Sequence, residues 1–422
     1  MPRAYCSCIY SHKEPATPAD QSVSCIQHID RLRRCCLNKT KNTRCKFMSR
    51  NDNPVRLMRV ILTGGALIAL LVGSGFTTGQ EIMQYFVAYG YGGIASVALM
   101  LLLFVYVSLS FVSAGYEQQF NEPKSIYQYY CGRLIGNFFD YFSVVFLFMS
   151  FWVMIAGAGA ALHQQFGWAN WVGGAVMGCL ALSTLLFGFK RLVEIIGLIG
   201  PLLSVLAIII GVVSYAMAPG GLVNYLAKLE PLVNDRTILQ ASSNWFVACA
   251  SYVGFCMMWL AAFMTNLGKS ASSRKEACWG ATLGAVMFSL AVLAMMLGLA
   301  AHLDDVAGTQ IPTLALIAKI HPALALGFAL IVFVAIFTTA APLLWAPVKR
   351  FAPDENSRRH RILLVSLAVI GTVVGLTIPF DRLINVVYVI NGYVGFALLF
   401  LMLAKDIRTR LFKSEVTAAL RS

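Results

Sequence analysis

The sequence predicts an all-α polytopic membrane protein with ten transmembrane helices in a 5+5 inverted repeat, helices 1 and 6 being discontinuous. Three observations carry this expectation: the composition, the number and spacing of apolar runs, and a polar interruption inside the first run. Of 422 residues, 58% are hydrophobic and only 12% charged, with a mean hydropathy of +0.71; soluble domains carry about 25% charged residues. The net charge of +14 invites a nucleic-acid reading. Its position argues otherwise, because Lys and Arg gather at the ends of apolar runs, where they set membrane topology. The expected partner is the lipid bilayer, with no nucleic acid; oligomeric state is not legible.

A helix needs about 20 apolar residues to cross a bilayer core. Such runs occupy roughly 57–89, 91–118, 136–162, 168–189, 191–217, 241–268, 276–302, 323–348, 362–380 and 382–404. With the N-terminus in the cytoplasm, the external cations are Lys228, Arg236, Lys319 and Arg382, and 29 of the 33 Lys and Arg residues fall inside. The positive-inside rule favours this orientation over its reverse. The expectation is therefore a multi-pass protein of the plasma (inner) membrane with both termini cytoplasmic. Spans 1–5 occupy 57–217 and spans 6–10 occupy 241–404, blocks of 161 and 164 residues joined by an external linker at 218–240. An odd number of spans per block forces the two copies into opposite orientations.

Residues 1–56 stand outside this pattern. They hold six of the eleven cysteines (Cys6, Cys8, Cys25, Cys35, Cys36, Cys45) and eleven basic residues. The spacings do not form two CxxC-type pairs, so a zinc site is disfavoured, and no apolar signal region precedes a small-residue cleavage site. A disordered basic leader, or sequence upstream of a start at Met48 or Met58, is expected. Residues 405–422 form a cytoplasmic tail too short for an output domain.

The first span carries the most informative stretch, Gly73-Ser74-Gly75-Phe76-Thr77-Thr78-Gly79-Gln80-Glu81. Lipid offers free backbone groups no hydrogen-bond partner, so a break here must be buried in protein or line a cavity. Carbonyls released near Val72 suit a cation, and amides and the positive dipole end near Thr77 to Gln80 suit a carboxylate. An α-amino acid matches both. A glycine-rich packing face is the plainer alternative. By the repeat, span 6 should break as well, at Ala250-Ser251-Tyr252-Val253-Gly254-Phe255, although small residues there also suit close helix packing.

Gly73-Ser74-Gly75-Phe76 resembles the glycine motif in the first helix of the amino acid–polyamine–organocation superfamily. The longer string through Glu81 resembles a bacterial amino acid permease branch of it, over about 57–404. The resemblance implies the leucine-transporter fold, with spans 1 and 6 unwound at the substrate and span 8 helping to bind sodium. It places Gly73, Ser74, Gly75, Phe76, Thr77, Tyr252, Gly254 and Phe255 at the substrate. It implies an ion site of Ala69 and Val72 carbonyls with Thr338 and Thr339 hydroxyls, hard oxygen ligands for a hard cation. The alternative is that each threonine bonds back to its own helix. Some proton-coupled relatives use a lysine from span 5; Ile195 to Met217 contains none, which favours sodium over a proton.

Glu81, a carboxylate within the membrane profile, is costly unless paired or hydrated. A proton carrier, an external gate, a ligand for a substrate amine and a structural hydrogen bond all remain open to it. Trp245 and Phe246 are expected above the span-6 break, Phe151 and Trp152 as the opposite wall, and Asn391 in an interhelical hydrogen bond beside Gly392. Glu194 is expected to pair with Lys190 or Arg191, and 303–322 to form a short helix-bearing external loop. Hydrolase, P-loop and metalloprotease motifs are lacking, so no enzyme is expected, and no cofactor beyond a coupling Na+ or H+. The expected function is secondary active transport of an amino acid or related small zwitterion by alternating access; the alternative is a non-transporting sensor on the same fold.

Overall fold

The computed structural model describes residues 56–419 apart from 121, 123, 188, 189, 219, 220 and 224, with backbone alone for 187–201 and 410–419. The leader preceding Arg56 and any pairing of Glu194 lie outside that description.

Among the described residues all regular structure is helical. The first apolar run holds α1 (Leu57–Leu71), α2 (Ser74–Thr78), α3 (Gln80–Tyr85) and a 3-10 turn at Val87–Tyr89. The next four runs are α4 (Tyr91–Gln118), α5 (Ser125–Phe166), α6 (Asn170–Phe187) and α7 (Lys190–Met217), and α8 (Tyr225–Asn234) lies in the linker. The second block holds α9 (Trp245–Ser270), α10 (Arg274–Ala301), α13 (Pro322–Phe351), α14 (Arg358–Thr377) and α15 (Phe380–Ala419). Between α10 and α13, the predicted 303–322 loop carries the short helices α11 (Leu303–Val306) and α12 (Pro312–Ile320). Every predicted run coincides with helix. Among the described residues seven helices (α4, α5, α9, α10, α13, α14 and α15) are long and apolar enough to cross a membrane, and 57–71, 170–186 and 202–217 are shorter apolar helices.

Boundaries moved where the backbone turns without a polar signal. α5 begins eleven residues before the predicted 136, because Gly132 (φ 75°, ψ 176°) makes a corner inside it. Gly136 then rests on the backbone of Gln128, whose Nε2 donates to Asn137 Oδ1 at 2.7 Å. At the other end, α15 runs on through the predicted tail.

The sixth span corrects the sequence expectation. α9 is one uninterrupted helix of 26 residues, capped by Asn244 Oδ1 accepting from the Val247 amide at 3.0 Å. The small residues expected to break it form a packing seam instead. A Cβ on Gly254 would fall on Gly392 O and on Phe396 N, and one on Gly392 would strike Ser251. Small residues let helix backbones approach closely, so this composition serves contact with α15 and leaves the hydrogen-bond ladder of α9 whole.

Similar seams organise the other crossings. Gly64 of α1 meets Gly280 and Gly284 of α10, a Cβ at 64 lying 3.0 Å from Gly280 O and 3.2 Å from Gly284 N. Gly115 of α4 packs on the Thr265 backbone of α9, and Gly268 of α9 on the Val112 backbone of α4. α5 and α13 pack on each other, tied at one end by Arg350 Nη2 to Asp140 Oδ2 at 2.5 Å.

Candidate functional site

The first apolar run is interrupted twice, and both interruptions are buried: Val72 to Ala88 has no exposed residue. α1 stops at Leu71. Val72 (φ −81°, ψ 81°) still bonds Ile68 O at 2.9 Å, but the Gly73 amide turns to Leu71 O at 3.0 Å. The Ala69 carbonyl thereby loses the partner that a continuing helix would give it. In α2 the first amide to bond back is Thr77 N, to Gly73 O at 3.1 Å, which leaves the Ser74, Gly75 and Phe76 amides as first-turn donors without a backbone acceptor. Thr77 Oγ1 and Thr78 Oγ1 return to Gly73 O (2.8 Å) and Gly75 O (3.1 Å).

The second interruption is Gly79, at φ 81°, a left-handed backbone that glycine adopts without steric cost. It separates α2 from α3 and brings Glu81 back over Gly75, so that a Cβ on Gly75 would coincide with the Glu81 side chain. Glu81 is 1% exposed, and Tyr252 Oη donates to its Oε2 at 3.3 Å. Thus α9, though unbroken, reaches the break through a side chain.

Aromatic rings from four helices form one packed cluster that begins at Tyr252, the hydrogen-bond donor to this carboxylate. Tyr85 meets Tyr252 edge-on at 5.2 Å, Phe255 stacks on Tyr388 of α15 at 4.7 Å, and Phe146 of α5 stacks on Trp259 at 5.4 Å. Phe76 turns from Glu81 towards Phe288 of α10 at 5.2 Å. Four buried hydroxyls here make no hydrogen bond: Ser74, Tyr85, Ser251 and Tyr388. Tyr388 neighbours Ser74 and Tyr85 neighbours Ser251, but neither pair has hydrogen-bond geometry.

The expected site residues therefore divide. Ser74, Gly75, Tyr252, Phe255 and Glu81 come together, and Gly73 and Thr77 flank them. Gly254 does not; it faces the α15 backbone. Phe151 and Trp152 are not the opposite wall. Phe151 lies against Gly371 of α14 and Trp152 packs edge-on against Phe148 at 5.5 Å, so Phe146 supplies the α5 ring. Trp245 and Phe246 sit exposed at the start of α9, with Trp245 against Gly92. Asn391 Nδ2 donates to Val387 O of its own helix, not across an interface, while its Oδ1 has no partner. Tyr85 and Tyr388 were missed; sequence alone does not separate a tyrosine at a buried site from one that only packs.

Of the expected ion ligands, Val72 is buried and Ala69 half-buried. Thr339 Cγ2 lies 3.9 Å from where a Cβ on Gly73 would stand, so α13 passes beside the first interruption. Thr338 Oγ1 and Thr339 Oγ1 both donate to Ala335 O, at 2.8 and 3.1 Å.

Both ends of the bundle are fastened. At one, Gln84 Nε2 donates to Asp381 O (2.8 Å) and Asn385 Nδ2 to Gln84 Oε1 (3.0 Å). There α12 is held twice: Thr313 Oγ1 to Thr77 O at 2.7 Å, and Gln164 paired reciprocally with the Ile311 amide and carbonyl at 2.9 Å each. At the basic end, Glu276 accepts from the Arg56 amide (2.8 Å) and lies 3.9 Å from Arg59, alongside the Arg350–Asp140 pair. A void of about 30 Å³ beside Gln80 and Gln84 and one of about 10 Å³ beside Phe76 and Thr77 flank the break. A separate cleft of about 910 Å³ opens between α4 and α10, past Trp279.

No family model matches the sequence. The uncharacterized membrane protein YkvI of Bacillus subtilis (strain 168) is 24% identical over 343 residues, 80% of this chain and 93% of that protein. The structure of MhsT in complex with L-phenylalanine superposes with a TM-score of 0.56 at 16% identity, covering 82% of this chain and 88% of MhsT. The inward-facing conformation of Mhp1 gives 0.52 at 15%, covering 81% and 74%. The doubly interrupted, buried first span and these superpositions agree: the chain has the leucine-transporter fold.

Proposed function

We propose that the chain is a secondary active transporter of an amino acid or related small zwitterionic solute, working by alternating access and coupled to a cation, sodium in preference to a proton. The observation that carries this is the buried double break in the first span. It holds an Ala69 carbonyl without its helical partner and the first-turn amides of α2 in one buried stretch, beside α13, in a fold shared with secondary transporters. Groups of opposite polarity at a helix break suit a solute with both charges and its coupling ion. That MhsT is solved with L-phenylalanine supports a solute of this class.

For the ion, a hydroxyl that donates to a carbonyl keeps its lone pairs. The bonds of Thr338 and Thr339 to Ala335 therefore leave both oxygens available to a hard cation. For the 5+5 repeat, support comes from pairing: α1 packs on α10 as α9 packs on α4, both through glycine seams, which is what exchange of spans 1 and 2 with 6 and 7 requires. For orientation, the basic end is assigned to the cytoplasm by the positive-inside rule. With both ends fastened and the break buried, the conformation reads as occluded.

The test is uptake into proteoliposomes across an amino acid panel, with and without an inward sodium gradient. Sodium-stimulated accumulation of at least one solute is expected. Binding without flux overturns the transport reading, and equal uptake in sodium-free buffer driven by a pH gradient overturns the sodium assignment.

A further inference from the structure

Glu81 poses a chemical problem that the proposed reading leaves open. A carboxylate enclosed in the bundle is costly unless it is paired and hydrogen-bonded. It is 1% exposed, and its one hydrogen bond is the 3.3 Å contact from Tyr252. No Lys, Arg or His forms an ion pair with it among the described residues. The ionisable groups facing it, Tyr85, Tyr252, Cys256 and Tyr388, add no positive charge.

The surroundings are short of hydrogen bonds too. Ser74, Tyr85, Ser251 and Tyr388 present fully buried hydroxyls without partners. Natural interiors leave few such groups, and each calls for an account. A cation with several N–H donors would satisfy carboxylate and hydroxyls together. The rings of Tyr85, Tyr252, Phe255 and Tyr388 pack against one another beside the carboxylate, with neighbouring centroids 4.7–5.7 Å apart. The unbroken α9 sharpens the need. A helix whose ladder is intact frees no carbonyls, so α9 adds none to those released at the end of α1, and Glu81 is the charged acceptor beside it.

We propose that Glu81, with Tyr252 and the unpartnered hydroxyls of Ser74 and Tyr388, is the receptor for a protonated amine of the transported solute. This rests on the transport reading for its occupant but not for its test. The amine is the recognised group. An amino acid and the amine made by its decarboxylation both bind, and the acid lacking the amine does not. Gly75 is part of the device, because only a residue without a Cβ lets the Glu81 side chain lie where it does.

The experiment is thermal stabilisation of the purified full chain by a panel of the twenty amino acids, their decarboxylated amines and their deaminated acids, in sodium and in potassium buffer. Wild type should be stabilised by at least one amino acid and its matched amine and by no deaminated acid. Glu81→Gln should weaken both at least tenfold, and Glu81→Asp less. If Glu81→Gln does not fold, the double variant S74A/Y388F, which removes hydroxyls that have no partner, should weaken amine binding several-fold. Stabilisation by deaminated acids as strong as by amines, no stabilisation by any amine, or unchanged binding in Glu81→Gln overturns the proposal. Amine binding that disappears in Glu81→Gln, in a protein that shows no flux in proteoliposomes, supports it and removes only the transport reading.

Discussion

Replacing Gly254 by alanine separates two roles for the middle of α9. A Cβ there would stand 2.6 Å from Phe396 N and closer still to Gly392 O. Ordinary carbon contacts start near 3.4 Å, so α9 and α15 must part by roughly 1 Å along this seam, and no rotamer change relieves a clash with backbone. Overpacking of this kind costs about 1–3 kcal/mol. At about 2–4 °C per kcal/mol for larger domains, the apparent melting temperature should fall by about 5 °C, read from tryptophan fluorescence in detergent at a fixed scan rate. Gly327→Ala is the control. It lies in α13 with nothing within 4 Å of its Cβ, and alanine stabilises a helix interior by about 0.5–1 kcal/mol relative to glycine, so the two variants should shift in opposite directions. Gly395, whose Cβ would strike Gly254 itself, should behave like Gly254, and the pair should be non-additive because they share one contact. Should Gly254→Ala melt like Gly327→Ala, the seam is not what keeps α9 straight, and a hinge at 250–255 returns to consideration.

Further outcomes follow from other parts of the structure. Gly132→Ala should cost about 1–3 kcal/mol, measured by the same melting assay, because its φ of 75° and ψ of 176° are nearly restricted to glycine although its Cβ would meet nothing within 4 Å. The double variant T338V/T339V, which keeps side-chain shape and removes both hydroxyls, should raise the half-saturating sodium concentration for uptake at least tenfold, about 1.4 kcal/mol; an unchanged value removes these residues from the ion site. Gln164→Ala takes the acceptor from the buried Ile311 amide and one donor from its carbonyl, which keeps Leu314 N and Ala315 N, about 1 kcal/mol for each lost bond, and should speed hydrogen exchange across 308–314 without affecting α14. Asp140→Asn should lower stability by about 1 kcal/mol and no more, since Arg350 is 39% exposed and solvent screens the pair.

What the sequence disclosed and what it concealed have physical causes. The first-span break was legible because three glycines and a carboxylate have no business in lipid-facing helix, and the structure indeed unwinds at 72–73 and again at 79. The reading of span 6 failed because Ser251 and Gly254 have the same composition whether they release a backbone or press one helix on another; only the position of Gly392 and Gly395 decides. Phe151 and Trp152 were assigned to the wrong face because apolar periodicity is nearly absent in α5, so its rotation is set by Gly371 and Gly375 of α14. Tyr85 and Tyr388 stayed hidden because a tyrosine in a membrane span announces neither its depth nor its hydroxyl's lack of a partner.

The short helix α12 has a mechanical consequence. Ile311 and Thr313 are two residues apart, one pinned to α5 through Gln164 and the other to the Thr77 carbonyl of α2. α12 is therefore a lever with its fulcrum on α5 and its tip on the interrupted segment. Lifting it from the bundle must take a hydrogen bond from the backbone of the interrupted segment, where the proposed reading places the solute. By reciprocity, whatever steadies that backbone must also hold the lever down, so occupancy and closure are two ends of one equilibrium.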